Sequence, residues 1–532
     1  MSDKLPPPEI DDSGFFGHPK GLRVLFFAEM WERFSFYGMR ALLVLYMVTD
    51  DRFRVVAENA TGLSYTYSSS HAYAIYGAYG ALVYAFPVLG GWIANRWIGY
   101  RNSILLGGSL MALGHFAMAF QPTYMFFLAM SLLCVGNGFF KPNISSTVGR
   151  LYRPNDSRRD RGFTIFYMGI NMGAMLAPLV CGFLGEDVGW HYGFATAGVG
   201  MVFGLIWFVR GQRHIGKHGD PPDPDKMRRP LFLGLNTLHL VWLGALVFVP
   251  AVAFALYEPT IADWTIYIVS ALVVLALVVF ALTQDRVGMM RLFALMILMV
   301  FQMLFFAGFE QAGSSFNVLT NDYVNRSLFG WDIPASVFQM VNPFFILAIA
   351  PMLNVVWRRL DEKQRNPSIP IKFALGLGLL GAGFYVLTFG INGASVNSVG
   401  SLKVALGWML LCYFLHTVGE LCLSPIGLSA VTKLAPEKWV GFCMGAWFLT
   451  IANAHLLAAA IAKLTTGGGD WCVGADPATA AAAVEKCPPA TGTEALAQYS
   501  SVFKDVALVL VVGALIIAAL SPWVKKLMKG VN

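Results

Sequence analysis

The sequence predicts an all-α membrane protein with fourteen spanning helices. Of its 532 residues, 56% are hydrophobic and only 13% charged, with a mean hydropathy of +0.59. A soluble globular chain carries about 25% charged residues. Long apolar runs alternate with short polar connections along the whole chain, and one spanning helix needs roughly 20 such residues. The runs are too long and too uniformly apolar for barrel strands, which read as short alternating segments.

The spans fall at 22–49, 71–94, 102–120, 123–148, 162–185, 189–209, 232–257, 264–284, 291–319, 334–357, 369–391, 401–431, 440–464 and 499–524. Alternate connections collect Lys and Arg: Arg96 and Arg101, then Arg150 to Arg161, Arg213 to Arg229, Arg286 and Arg291, Arg358 to Arg365, Lys433 and Lys438, and Lys525 to Lys529. The intervening connections are poor in cations: 392–400 has none and 320–333 has only Arg326. By the positive-inside rule both termini are expected in the cytoplasm. The same loops account for the net charge of +7 and suit an anionic inner leaflet. No basic patch is interleaved with aromatics, so no nucleic acid partner is expected.

The tail, residues 1–21, is polar and lacks the short apolar core of a cleavable signal peptide. Residues 22–210 form a first block of six spans, followed by the Pro- and charge-rich linker 211–230, expected to be a cytoplasmic hinge. Residues 231–285 hold a two-span insert without intramembrane acid, Lys or Arg, which reads as lipid-facing. Residues 286–524 form a second block of six spans, and 525–532 a cytoplasmic tail. Six plus six spans is the transporter architecture built from repeats, with binding near the midplane.

Cys134, Cys181, Cys412, Cys422 and Cys443 lie in spans and read as small apolar residues. Cys472 and Cys487 share the connection 465–498, which the charge pattern places outside, where a disulfide is permitted. No Cys/His spacing fits a metal. The run Gly211 to Lys217 has phosphate-loop spacing, but His218 stands where a Ser or Thr must hold Mg²⁺, and no HExxH or GxSxG occurs. The chain is not expected to be an enzyme or to need a cofactor.

Charges inside spans carry the functional signal, because hydrocarbon makes them costly. In the first span Glu29, Glu32, Arg33, Phe36, Tyr37 and Arg40 recur at spacings of three and four, on one helix face. Lys141, Glu310 and Glu420 lie in three further spans. A structural reading makes them fixed interhelical clamps; a transport reading gives them a shared wet cavity. The midspan histidines His115, His416 and His455 read as core residues.

Glu29-x-x-Glu32-Arg33-Phe34-x-Phe36-Tyr37 resembles the ExxERFxYY signature of the proton-dependent oligopeptide transporter (POT) family, the peptide branch of the major facilitator superfamily. Phe166-Tyr-Met-Gly-Ile-Asn171-Met-Gly173 resembles its fifth-span FYxxINxG motif, and Gly419-Glu420-Leu-Cys-Leu-Ser424-Pro425 its GELxLSP motif. Gly90 to Arg101 resembles the superfamily's loop signature, with Asn95 in place of its acid. The resemblance implies twelve core helices in two bundles plus the insert, and proton-coupled import of di- and tripeptides. Phe36 replaces the first signature tyrosine, and Gly77 stands where animal members carry a proton-handling histidine; His71 lies nearly two turns earlier.

Under this reading Arg40 and Lys141 hold the peptide carboxylate, while Glu420 with Asn171 and Asn342 receives the ammonium. Tyr37, Tyr76, Tyr84, Ser424 and Trp447 line side-chain pockets. Glu310 is the coupling acid, and Glu29 and Glu32 with Arg33 and Lys141 form a switchable ion-pair set. Relatives that move nitrate or organic anions give the alternative cargo, and they often lack the acid at Glu420. A receptor or channel would not need titratable charges in both halves.

Overall fold

The computed structural model describes residues 13–49, 55–56, 64–65, 69–120, 122–153, 156, 158–328, 330–396, 401–466 and 492–530. Cys472 and Cys487 lie outside the described residues. Fourteen long helices follow one another: α1 (Lys20–Thr49), α2 (Ser69–Ile93), α3 (Gly99–Met118), α4 (Thr123–Arg150), α5 (Arg159–Phe183), α6 (Trp190–Gly211), α7 (Thr237–Tyr257), α8 (Pro259–Leu282), α9 (Arg286–Phe309), α10 (Val341–Glu362), α11 (Ile369–Asn392), α12 (Leu406–Leu434), α13 (Val440–Leu464) and α14 (Gly492–Leu527). Among the described residues, twelve segments are long and apolar enough to cross a membrane. One of them, Ser69–Met118, holds both α2 and α3, and the charge-bearing α1 is not among them. The protein is a multi-pass membrane protein. Among the described residues, strands occur only as short two-stranded ribbons in connections, such as Ser327–Leu328 with Trp331–Asp332.

The chain divides into two compact units, Met1–Leu42 with Ala85–Tyr257, and Leu43–Tyr84 with Glu258–Asn532. The division falls within α1 and α2 and between α7 and α8. Small residues explain why the first half of α2 belongs with the second unit. A Cβ at Gly77 would lie 2.5 Å from Ala459 Cβ, so only glycine lets α2 lie this close to α13.

In the first unit, glycines bring backbones together in the same way. A Cβ at Gly107 would stand 2.4 Å from the Gly136 carbonyl oxygen, and one at Gly136 2.7 Å from that of Gly107. Such small-residue contacts replace the hydrophobic drive that lipid removes. The α3–α4 pair is also pinned by Asn143 Nδ2 donating to Ser103 Oγ at 2.9 Å and by Ser103 Oγ donating to Phe139 O at 3.1 Å.

The expected hinge is an ordered, docked segment. Two 3-10 turns, Gln212–His214 and Gly216–Gly219, lead to a short helix, Pro224–Arg228, capped by Asp223 and begun by Pro224. Arg101 binds Asp220 at 3.0 Å and donates to the Gly216 carbonyl. Asn95 instead accepts from Tyr100 Oη at 3.3 Å. The carboxylate that pairs with Arg101 is thus supplied by the linker. The tail is fastened too: His18 Nδ1 lies 2.9 Å from Tyr152 Oη, and Arg158 reaches both Gly17 O and Asp156. Burial, then Arg158 and Arg161, hold the His18 imidazole below its ordinary pKa.

The second unit packs around Phe316, Phe384 and Phe503, whose rings lie 5.3–5.4 Å apart. His416 stacks on Phe316, and His115 is fully buried in the first unit, as core residues should be. The span expected at 291–319 is broken. After α9 come a 3-10 turn, Glu310–Gly313, and a short helix, Ser315–Tyr323. Helix α8 starts before the expected boundary and so includes Asp263, which interacts electrostatically with Lys463. Few residues of either insert helix are buried: 22% and 17% of their apolar stretches.

The glycine contacts predict the behaviour of two substitutions. Gly107→Val should lower the melting temperature by several degrees, since overpacking costs about 1–3 kcal/mol. Gly244→Val, where a Cβ meets open space, should leave it within error in the same thermal-shift measurement.

Candidate functional site

One polar cluster forms on α1, where the helix repeat stacks the charged residues. Arg33 Nε lies 3.2 Å from Glu29 Oε1, and the Arg33 fork grips Glu32 through Nε to Oε2 at 2.5 Å and Nη2 to Oε1 at 2.7 Å. All three side chains are at most 3% exposed. Two carboxylates on one guanidinium leave a formal negative excess among buried side chains. Lys141 of α4 acts electrostatically on Glu29, and Asn137, one turn earlier on α4, donates to Glu32 at 3.4 Å. The Arg33 guanidinium also lies over the Phe36 ring at 5.2 Å. Pro142 removes the helical bond to the Gly138 carbonyl next to Lys141, a break tolerated where neighbouring helices supply partners.

One turn beyond Phe36, Arg40 lies over the Tyr37 ring at 5.8 Å, and both residues are half-buried. Asn171 of α5 is buried and donates to the Tyr167 carbonyl of its own helix at 3.0 Å. These residues belong to the first unit.

In the second unit, Asn342 of α10 donates from Nδ2 to both Glu420 Oε2 and Thr417 Oγ1 of α12, each at 3.0 Å. This orients the carboxylate while leaving Glu420 half-buried. Gly419 beside it allows α12 to approach α11: a Cβ there would meet the Gly376 carbonyl oxygen at 2.8 Å. Ser424 has a buried hydroxyl without a hydrogen-bond partner among the described residues, next to Pro425 in the helix interior. Trp447 is 2% exposed and lies against Gly427, where any Cβ would strike the indole.

Glu310 opens the 3-10 turn after α9 and is 3% exposed. Its Oε1 lies 3.9 Å from Nε2 of His455 on α13. Tyr84 of α2 packs against that imidazole at 5.2 Å with the rings tilted by 31°, and Tyr76 meets it edge-on at 6.4 Å. Gln311 secures the broken backbone by donating to Ala307 O at 3.2 Å and to Ala458 O at 2.9 Å. His455 was read from the sequence as a core histidine; packing brings it to Glu310. The signal was present in the small residues around it, Ala454, Ala458 and Ala459, and in Gly77 and Gly80 one turn apart on α2. Small side chains there make room for the ring.

The profile of the POT family (PTR2) matches residues 101–470. The peptide transporter YePEPT of Yersinia enterocolitica is 36% identical over 460 residues, covering 84% of this chain and 88% of that protein. The di-/tripeptide transporter of Lactococcus lactis subsp. cremoris is 37% identical over 469 residues, covering 85% and 90%. A solved POT peptide transporter in complex with alafosfalin superposes with a TM-score of 0.76 at 35% identity over 98% of both chains. The chain therefore belongs to the POT family of transporters, with the major facilitator superfamily fold.

Proposed function

We propose that this transporter imports di- and tripeptides with protons across a bacterial inner membrane by alternating access, both termini lying in the cytoplasm. The relatives named as peptide and di-/tripeptide transporters support the cargo, membership of the family supports proton coupling, and the basic alternate loops support the orientation.

The single observation that carries the reading is the division of charge among the motif residues inside the spans. The first-unit set, Glu29, Glu32, Arg33, Arg40 and Lys141, has one cation in excess, and the second-unit set, Glu310 and Glu420, is acidic. A short peptide is a zwitterion and needs one partner of each sign. Arg40 and Lys141 supply cations for its carboxylate. Glu420, held by Asn342, supplies the acceptor for its ammonium, and charge-assisted hydrogen bonds of this kind are roughly twice as strong as neutral ones. A carrier of nitrate or another simple anion would have no use for Glu420.

Coupling rests on Glu310, whose buried carboxylate is tolerated only when protonated or balanced by a cation. Arg33, held by two acids, is the second switch: moving Lys141 away leaves an uncompensated negative charge, so the set has two distinct states. No cofactor is needed, the proton being the coupling ion.

The reading is tested by dialanine uptake into proteoliposomes. Trialanine should compete and tetraalanine should not, and accumulation should require an imposed proton gradient. Equal competition by tetraalanine would remove the clamp on both peptide termini.

Glu310→Gln should abolish gradient-driven accumulation while peptide counterflow continues, because exchange needs a loaded carrier to reorient but no net proton movement. Concentrative uptake by this variant would take the coupling role away from Glu310.

Glu420→Ala should impair dipeptides far more than their N-acetylated analogues. Truncating one partner of a desolvated charge pair costs about 2–5 kcal/mol, and the acetylated ligand has already lost that partner. The two losses should be strongly non-additive; an equal loss for both ligands would make Glu420 a structural residue of α12.

A further inference from the structure

A cavity of about 290 Å³ lies in the first unit between α2, α4 and the first insert helix, α7, and every residue lining it is glycine or apolar. Its walls follow the helix repeat. Phe86, Gly90 and Ile93 of α2, and Val241, Gly244, Ala245 and Phe248 of α7, recur at spacings of three and four, so each helix offers one face. Backbone closes the floor: a Cβ at Gly90 would strike the Gly138 carbonyl of α4, and one at Gly138 would stand 2.7 Å from Phe86 Cβ. Two aromatic pairs seat α7 against this floor, Phe248 with Phe86 at 5.8 Å and Tyr257 with Phe127 of α4 at 5.4 Å. Between them and the start of α7 the helix does not close, and a Cβ at Gly244 would meet open space.

The cavity opens on the outside of the unit at membrane depth. Leu89 and Phe248 on its rim are 51% and 47% exposed, and all three helices belong to membrane-spanning segments. Apolar cavities stay dry, so the medium able to fill this one is hydrocarbon. Its volume is about twice that of an apolar cavity that admits benzene, which leaves room for a stretch of acyl chain. One end of the cavity lies beside a cation. Ile93 is the last residue of α2, and Arg96 follows one turn later in the π-helical turn Ala94–Ile98. Arg96 is exposed and has no ion pair or hydrogen bond among the described residues. Trp92 and Trp97, both exposed, lie on either side of it in the chain with their rings 4.8 Å apart. Exposed tryptophans at the end of a span mark headgroup level.

We infer that this cavity holds one acyl chain of an anionic phospholipid whose phosphate lies at Arg96. The guanidinium fork matches paired phosphate oxygens and bonds them with charge assistance, and a headgroup of net negative charge adds an attraction that a zwitterionic one lacks. The chain supplies the dispersion contacts that the lining of an empty void forgoes. A peptide finds no partner here for either of its charged ends, because no lining side chain is polar. The lipid packs between α7 and the α2–α4 pair, filling the gap left by the small side chains of α7. The inference is independent of the cargo and of proton coupling.

The test is native mass spectrometry of the detergent-purified chain, as wild type, Arg96→Gln and Gly244→Phe, titrated with phosphatidylglycerol and with phosphatidylcholine of the same acyl chains. Wild type should hold one phosphatidylglycerol more tightly than phosphatidylcholine. Arg96→Gln should weaken phosphatidylglycerol about tenfold, the scale of one hydrogen bond to a charged group. Gly244→Phe, which fills the cavity, should lose the tightly held lipid. Undiminished binding by either variant, or equal binding of the two lipids by wild type, overturns the proposal. Should Gly244→Phe fail to fold, phosphatidylglycerol carrying a diazirine in its acyl chain is photolysed with the unaltered chain in bilayers. Labels concentrated on the cavity faces of α2, α4 and α7 support the site; labels spread evenly over these helices and α8 overturn it.

Discussion

Arg33 holds Glu29 and Glu32 at once, at a depth where all three are closed to solvent. Leaving any one of them unpaired in such surroundings costs several kcal/mol, so the positions of α1 and α4 relative to each other are tied to charge balance as well as to packing. The excess carboxylate draws Lys141, and Asn137 supplies a hydrogen bond to Glu32. The same constraint organises the second unit. Glu420 is held by Asn342, and Glu310 faces His455. Each of these four carboxylates lies against a group of opposite or polar character.

Close helix packing makes these encounters possible. Gly107 with Gly136, and Gly376 with Gly419, bring backbone against backbone, and Gly77 and Gly80 make room on α2 for α13 and its histidine. Prolines do complementary work. Pro142 and Pro425 each interrupt helical bonding next to a motif residue, Lys141 and Ser424, leaving local backbone groups available for partners other than their own helix. At Glu310 the helix itself unwinds into a 3-10 turn, and Gln311 secures it against α13. An irregular backbone at membrane depth is stable only when such bonds are supplied.

Outside the spans, Arg101 binds Asp220 of the linker, and Asn95 accepts from Tyr100. The Arg101–Asp220 pair holds the linker against the start of α3. Composition marks that segment as Pro-rich and charged, which describes a hinge and a docked segment equally well; only the partner of Arg101 distinguishes them.

The sequence by itself determined the helical class, the fourteen helices, the intramembrane charges and the family, because these depend on hydrophobic run length, on the cost of charge in hydrocarbon and on motifs contiguous in the chain. It also revealed the Arg33 cluster, whose members are within four residues of one another. Tertiary structure alone decided the break at Glu310, the fastening of the linker, the division of the chain inside α1 and α2, and the placement of His455 beside Glu310. Glu310 and His455 are far apart in sequence, and no local periodicity relates them. Their meeting depends on Gln302 and Gln311 fixing α13 and on the missing side chains of Gly77 and Gly80, contacts whose physical origin is packing between helices and not the preference of any one segment.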